Sequence, residues 1–192
     1  MSVIDQILSI DEQLFLWVNV KWSSSWGDFL FPLLRNRDTW VPFYLLLAGW
    51  LFYRFRWKGL LFVLVIAAST GLTDLVSSSV IKPLVGRERP CKAEDWPAEI
   101  NVLVHCGNNG SFTSSHAANH TAIAVSISIL LLASKRWLSV LLLIWAASIG
   151  VAQVYVGVHY PSDIVGGMLT GAMVAMSVCL GARKMGLKRE RV

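Results

Sequence analysis

A chain of 192 residues suits one domain, and at 55% hydrophobic with nine Trp its apolar residues fall into blocks rather than amphipathic stripes. Several blocks approach the roughly 20 residues needed to cross a bilayer, which excludes an ordinary soluble globule and predicts an integral membrane protein. The net charge of +5 is gathered at block ends (Arg54, Arg56 and Lys58; Lys135 and Arg136; Arg183, Lys184, Lys188, Arg189 and Arg191). That placement argues against nucleic acid and fits cytoplasmic flanks under the positive-inside rule.

Residues 3–20 carry Val3, Ile4, Ile7, Leu8, Leu14, Phe15, Trp17 and Val18 but are interrupted by Asp5, Asp11 and Glu12. They read as an interfacial amphipathic helix rather than a span. Residues 22–38 read as a second short surface helix, and a sixth span built from these pieces stays open. The N-terminus has no basic n-region ahead of an apolar core, so no cleavable signal is expected. Spans are predicted over residues 40–57, with a Trp at each end as interfacial belts favour, then 59–81, 115–134, 137–158 and 162–182. The expected fold is an all-α membrane bundle of five to six transmembrane helices in one domain (1–192): interfacial helices over 1–38, a core over 40–182 and a basic cytoplasmic tail over 183–192. The charge pattern puts the long 82–114 loop and the 158–162 turn together on the external face. Asp74, an acid inside the second span, is read as paired with a polar neighbour.

Three clusters meet on that face. In the stretch from Val154 to Asp163, Pro161 suits the first turn of a helix, which holds His159 just outside and Asp163 in its opening turn. A His oriented by an Asp is a nucleophile or general base; a loop His beside a capping Asp is the plainer alternative. Lys82 and Arg89 leave the second span, and Arg can grip two phosphate oxygens at once. An ordinary basic flank would more naturally lie on the other side. Ser111, Thr113, Ser114, Ser115 and His116 open the third span, where free amides bind anions. Helix capping also explains the serines, but not the histidine. Cations, an anion-binding helix start and two histidines together describe phosphoryl transfer through a phosphohistidine.

These residues resemble the type 2 phosphatidic acid phosphatase (PAP2) superfamily, with its K-x6-R-P, P-S-G-H and S-R-x5-H-x3-D elements. Lys82, Arg89 and Pro90 match the first fully. Thr113-Ser114-Ser115-His116 keeps Ser and His of the second. Ala152-Gln153, His159 and Asp163 keep the spacing of the third. The resemblance runs over about residues 40–182. It implies His159 as nucleophile, Asp163 as its orienter and His116 as general acid. Lys82, Arg89, Ser114 and the Ser115 amide would hold the phosphate. No metal or other cofactor is implied.

Two departures bear on phosphate binding. Gln153 stands where the family has an Arg, so a cation is lost while a donor remains. Ser115 replaces a glycine, keeping the amide but adding bulk beside the phosphate. Weakened phosphate binding is expected, and Arg87 is the candidate to compensate. His120 lies one turn after His116, a spacing that serves helix polarity or a metal pair, with no third ligand in view. His105 carries no clear signal. Cys91 and Cys106, both in the external loop, are a candidate disulfide, and Cys179 lies in the last span.

The function expected is hydrolysis of a lipid phosphate or diphosphate at the outer face of a bacterial-type inner (cytoplasmic) membrane. Undecaprenyl diphosphate is the first choice. Phosphatidylglycerol phosphate, phosphatidate and lipid A are alternatives, and a lipid phosphotransferase or a non-catalytic lipid-binding protein are rival classes. The expected partners are the lipid substrate and membrane lipids.

Overall fold

A computed structural model describes residues 3–96, 99–132, 134–188 and 190. Helix α1 (Val3–Leu16) runs on through a π-turn (Trp17–Lys21), and α2 (Ser25–Arg35) follows. The Ser24 hydroxyl caps α2 by accepting from the Gly27 amide, satisfying one of the donors a helix start leaves free. Then come α3 (Val41–Phe55) and α4 (Trp57–Leu75), which continues through a π-turn (Val76–Ile81) into Lys82–Val85. The bundle is completed by α5 (Ser115–Leu131), α6 (Arg136–Tyr155) and α7 (Pro161–Lys184).

The second span was expected to end near Ile81. The helical path instead carries Lys82 in its last turn and stops at Gly86, whose φ of 61° is left-handed and whose amide closes on the Lys82 carbonyl. Among the described residues three helices are long and apolar enough to cross a membrane: Trp57–Val85, Arg136–Tyr155 and Pro161–Lys184, of 29, 20 and 24 residues. The expected spans over 40–57 and 115–134 form shorter helices, α3 with 15 residues and α5 with 17.

Helix α5 is the axis of the bundle. It packs on α4, α6 and α7, so its His120, Thr121 and Ser126 are buried among helices. Its approach to α7 depends on Gly167 and Gly171, one turn apart. A Cβ at Gly167 would stand 2.5 Å from the Ser114 carbonyl oxygen, and one at Gly171 2.1 Å from that of Ala118. Small residues at this spacing let two helix backbones come together.

The two ends of the bundle differ. At one end the α3–α4 turn meets the C-terminal segment, where Lys58 pairs with Glu190 at 3.1 Å and the Glu190 amide bonds the Leu130 carbonyl. At the other end the loop after α4, the start of α5 and the α6–α7 turn converge. Cys91 and Cys106 are bridged there, with Cα atoms 6.0 Å apart.

The N-terminal helices dock on this second end. Phe15 is fully buried between Trp96 and Tyr160, at centroid distances of 4.9 and 5.7 Å. The acidic residues that made α1 a poor span are not all solvent-facing: Asp11 is buried, as is Asn19 in the following turn, while Ile7, Ile10, Leu14 and Trp17 are exposed. Asp11 thus faces protein beside Phe15, while a run of apolar side chains faces out. Helix α2 likewise exposes Trp26, Phe29, Leu30 and Leu33.

Candidate active site

His159 lies in the α6–α7 turn. The chain enters that turn through Gly157 at φ 86°, where a Cβ would stand 2.6 Å from the Asn101 carbonyl oxygen. Only glycine fits both the backbone angle and the close approach. The buried His159 ring is then held from both sides. Arg89 Nη1 lies 3.2 Å from Nε2, and Asp163 Oδ2 lies 3.3 Å from Nδ1. A guanidinium can only donate, so Nε2 faces it as an acceptor and the ring proton sits on Nδ1, toward the carboxylate. Burial pushes the His159 pKa down to about 4, with the Asp163 hydrogen bond opposing that and the Arg89 charge adding to it. A neutral imidazole with its Nε2 lone pair turned to a cation-lined face is the form a nucleophile requires.

Asp163 is fully buried and saturated with donors. Its Oδ1 accepts from Arg87 Nη1 at 2.9 Å. Its Oδ2 accepts from the Tyr160 amide at 2.9 Å and from the Ser111 hydroxyl. The Tyr160 contact also caps α7, so one carboxylate fixes both the helix start and the histidine.

The cations are placed by the loop that follows α4. Lys82 Nζ, buried, donates to the carbonyls of Gly110 and Ser111 at 3.0 and 3.3 Å. Arg89 donates to the carbonyls of Asn109 and Val158 at 2.9 and 3.0 Å. Its pKa is lowered, chiefly by burial, with Asp163 opposing. A cavity of about 450 Å³ opens beside them, with Arg87 and Lys92 also on its wall.

Ser114 is the N-cap of α5; its hydroxyl accepts from the Ala117 amide, and its own amide bonds the Asp163 carbonyl at 3.0 Å. The amides of Ser115 and His116, in the first turn, have no acceptor within the helix. The Ser115 hydroxyl is turned onto Ser77, in the π-turn after α4, at 3.0 Å, so the bulk expected beside a phosphate is directed at a neighbouring helix instead. His116 is partly buried, and the positive charges of Arg35 and Lys82 bear on its ring.

His120 has both ring nitrogens engaged, Nδ1 with the His116 carbonyl at 2.8 Å and Nε2 with the Tyr44 hydroxyl at 3.0 Å. Both contacts are polar pairings within the bundle, the helix-polarity role expected of it. Among the described residues no group of three or more His, Cys, Asp or Glu is placed to hold a metal ion. Asp74 accepts from Asn119 at 2.9 Å, the polar pairing expected of it.

Three site residues had no strong signal in the sequence. Arg87 was expected to compensate for the missing cation. It is instead committed to carboxylates, reaching Asp163 through Nη1 and Asp11 through Nη2 at 2.7 Å while lying over the Tyr160 ring. Asp11, on α1, also accepts from the Ser162 amide at 2.8 Å. Arg35, at the end of α2, donates from Nε to Gln153 Oε1 at 3.2 Å. Asp11 lies 76 residues from Arg87 and 151 from Ser162, and Arg35 118 from Gln153, beyond the reach of any local motif.

Fold and site define an all-helical membrane protein with a histidine–aspartate pair set among cations at one end of its bundle. The profile of the PAP2 superfamily matches residues 58–185, and the chain belongs to that superfamily; it is a phosphatase, a hydrolase of phosphoester bonds. A lipid A 4′-phosphatase of Bacteroides thetaiotaomicron is 35% identical over 172 residues, covering 88% of this chain and 75% of that protein. An undecaprenyl-diphosphatase of Sulfolobus acidocaldarius is 26% identical over 173 residues, covering 89% and 78%. The crystal structure of a transmembrane PAP2-type phosphatidylglycerolphosphate phosphatase from Bacillus subtilis shares the fold, with a TM-score of 0.71 at 24% identity, covering 94% of this chain and 88% of that one.

Proposed function

We propose that this chain is a membrane lipid phosphatase that works through a phosphohistidine on His159. The observation that carries the reading is the His159 ring, held between the Asp163 carboxylate at Nδ1 and the Arg89 guanidinium at Nε2. His159 Nε2 attacks phosphorus as the bond to the lipid oxygen breaks, and His116 donates the proton that oxygen needs. Water, deprotonated by His116, then attacks the phosphohistidine, releasing inorganic phosphate and restoring the imidazole. Lys82, Arg89, the Ser114 hydroxyl and the Ser115 amide neutralise the charge that spreads over the phosphoryl oxygens.

The site faces the outside of the inner membrane in this reading. The disulfide belongs on an oxidising face, and the basic residues collect at the opposite end of the bundle, as cytoplasmic flanks do. Helices α3 and α5 complete five spans. Helix α5 is enclosed by its neighbours and has little lipid to match, which suits its shorter length and its polarity. Helices α1 and α2 lie at the outer interface, with Ile7, Ile10, Leu14 and Trp26 toward lipid.

The substrate is a lipid phosphate. The sequence alone favours undecaprenyl diphosphate, but the 35% identical relative is named for lipid A, which moves that phosphate monoester to first place. The test is phosphate release in detergent from lipid A, undecaprenyl diphosphate and phosphatidate, comparing wild type with His159→Ala in the presence of chelator. Release from at least one lipid that persists with chelator and vanishes in the variant is expected, and the relative rates rank the substrates. Release undiminished in His159→Ala refutes the phosphohistidine. Release that requires a second, acceptor lipid would make the protein a transferase.

A further inference from the structure

Position 153 offers an amide where the phosphoryl site would gain from a cation, yet that amide is not idle. Gln153 is fully buried on α6, its Oε1 accepts from Arg35 Nε at 3.2 Å, and its Nε2 has no partner among the described residues. A buried amide donor without an acceptor is expensive and calls for an explanation, a bound anion or water being one; of the buried side-chain atoms in this state among the described residues, Gln153 Nε2 is the one on a residue that also holds Arg35. Arg35 poses the same question. It is partly buried, Gln153 is its one hydrogen-bond partner among the described residues, and it has no carboxylate beside it. Gln153 lies in the last turn of α6, its carbonyl accepting from the Val158 amide at 3.2 Å just before His159, so the guanidinium it holds is at the end of α6 that carries the nucleophile.

The chain takes trouble to hold it there. Tyr155, fully buried on α6 two residues from Gln153, donates its hydroxyl to Asp28 at 2.8 Å, accepts from the Ser24 amide at 3.1 Å and stacks on Phe31 at 4.1 Å. Asp28 and Arg35 lie two turns apart on one face of α2, so the contacts that anchor α2 through Asp28 also deliver Arg35 to Gln153.

We infer that Arg35 is a phosphate-binding residue of this site, supplied from α2 in place of a cation at position 153, with Gln153 holding it through Oε1 and offering Nε2–H to the same phosphate. This rests on the phosphatase reading above and extends it to two residues. The competing account is that Arg35 is a cation at the C-terminus of α2, complementing the helix dipole. That account predicts a change in stability and none in anion affinity.

The test uses orthovanadate, a phosphate mimic whose binding needs no turnover, titrated calorimetrically into the full chain in detergent, alongside phosphate release from lipid A. Arg35→Ala is expected to weaken vanadate about 10- to 100-fold, as loss of charge-assisted hydrogen bonds should, and to raise KM in step. Arg35→Lys, which keeps the charge without the fork, should recover part of the loss. Arg35→Ala with Gln153→Arg should recover most of it, while Gln153→Arg alone should bind vanadate no more tightly than wild type, because two guanidiniums would then meet. If Arg35→Ala does not fold, Arg35→Gln makes the same comparison with the side chain's reach kept. Vanadate affinity within twofold of wild type in a folded, charge-free variant overturns the inference alone. A wild-type protein that neither binds vanadate nor releases phosphate from any lipid overturns the phosphatase reading and this inference with it.

Discussion

Replacing Asp11 with Ala tests whether α1 is part of the catalytic framework or merely attached to it. Asp11 is 5% exposed and joins three elements: its Oδ2 meets Arg87 Nη2 at 2.7 Å, and its Oδ1 meets the Ser162 amide at 2.8 Å. Arg87 passes the connection to Asp163 Oδ1 at 2.9 Å, and Asp163 holds His159. The substitution removes three charge-assisted hydrogen bonds, from Arg87 Nη2, the Ser162 amide and the Ser162 hydroxyl, each worth about 1.5–3 kcal/mol before the freed donors find new partners. Arg87 keeps Asp163 as a partner, so the full penalty of an orphaned buried charge does not apply, and a net loss of about 3 kcal/mol is expected. For a chain of this size that is a fall of roughly 6–12 °C in Tm.

Activity should suffer differently from stability. With Asp11 gone, Arg87 and Ser162 relax, and the carboxylate that aims His159 loses part of its backing. Small misplacements of a reacting group cost up to about 100-fold. The loss should fall on kcat rather than KM, since Lys82, Arg89 and the α5 amides are untouched. Asp11→Asn keeps an acceptor for Ser162 but drops the charge and should lie between. Phosphate release across a range of lipid concentrations, with thermal unfolding of the same detergent samples, reads both effects. An Asp11→Ala protein that melts and turns over like wild type would show that α1 contributes nothing to the site.

Three further outcomes follow from particular contacts. The His159 pKa is depressed to about 4, so in ¹⁵N-histidine NMR the resonance missing from His159→Gln should stay neutral at pH 5.5; a midpoint near 6.5 would contradict the burial argument. The sign for stability is the same: between pH 4 and 6.5 the unfolded chain binds the extra proton, so His159's contribution is full above about pH 6.5 and is lost as pH falls toward 4. Gly171→Val sets a side chain against the Ala118 carbonyl, 2.1 Å from the new Cβ, and should cost at least about 1–3 kcal/mol and displace α5. Gly181→Ala, where nothing lies within 4 Å, should be neutral or slightly stabilising, and equal melting of the two variants would refute the packing argument. Cys91→Ser with Cys106→Ser opens a loop spanning 15 residues, for which chain entropy predicts a loss of about 3 kcal/mol, and an unchanged Tm would refute it.

What could be read from the sequence was what chain connectivity enforces. His159 and Asp163 are four residues apart across a proline that starts a helix, so their meeting is decided locally. Lys82 and Arg89 flank one loop, and the loop's return to α5 follows from its spans being antiparallel. The bundle was visible because apolar blocks report burial in lipid. Asp11 was misjudged for the same reason: in a hydropathy pattern an acid marks a helix unfit to span, and nothing local distinguishes an acid facing water from one facing a partly buried arginine 76 residues away. Arg87 was misjudged because a free cation beside a phosphate motif and a paired one look alike until the carboxylates are located. Lys82 was placed beyond its helix because the polar residue was taken as the boundary, whereas the backbone continues until Gly86 stops it.

Asp11 and Arg35 both lie outside residues 58–185, the stretch that matches the superfamily profile. The matched stretch supplies the histidines, the aspartate, Lys82 and Arg89; α1 and α2 supply one partner to the arginine behind Asp163 and one partner to the buried amide on α6. Such additions change which substitutions the matched stretch tolerates. With Arg35 donating to position 153, a second guanidinium there would set two cations together in a partly buried place, an arrangement that low dielectric penalises. Positions 35 and 153 are therefore expected to be coupled by charge, one cation between them being better tolerated than two. The same reasoning separates a glutamine that has weakened a site from one that has adapted to an arginine arriving from elsewhere. In the first case the amide would accept any neighbour. In the second, its oxygen would face a guanidinium, as Gln153 Oε1 faces Arg35, and its nitrogen would be kept for the anion, as is inferred for Gln153 Nε2.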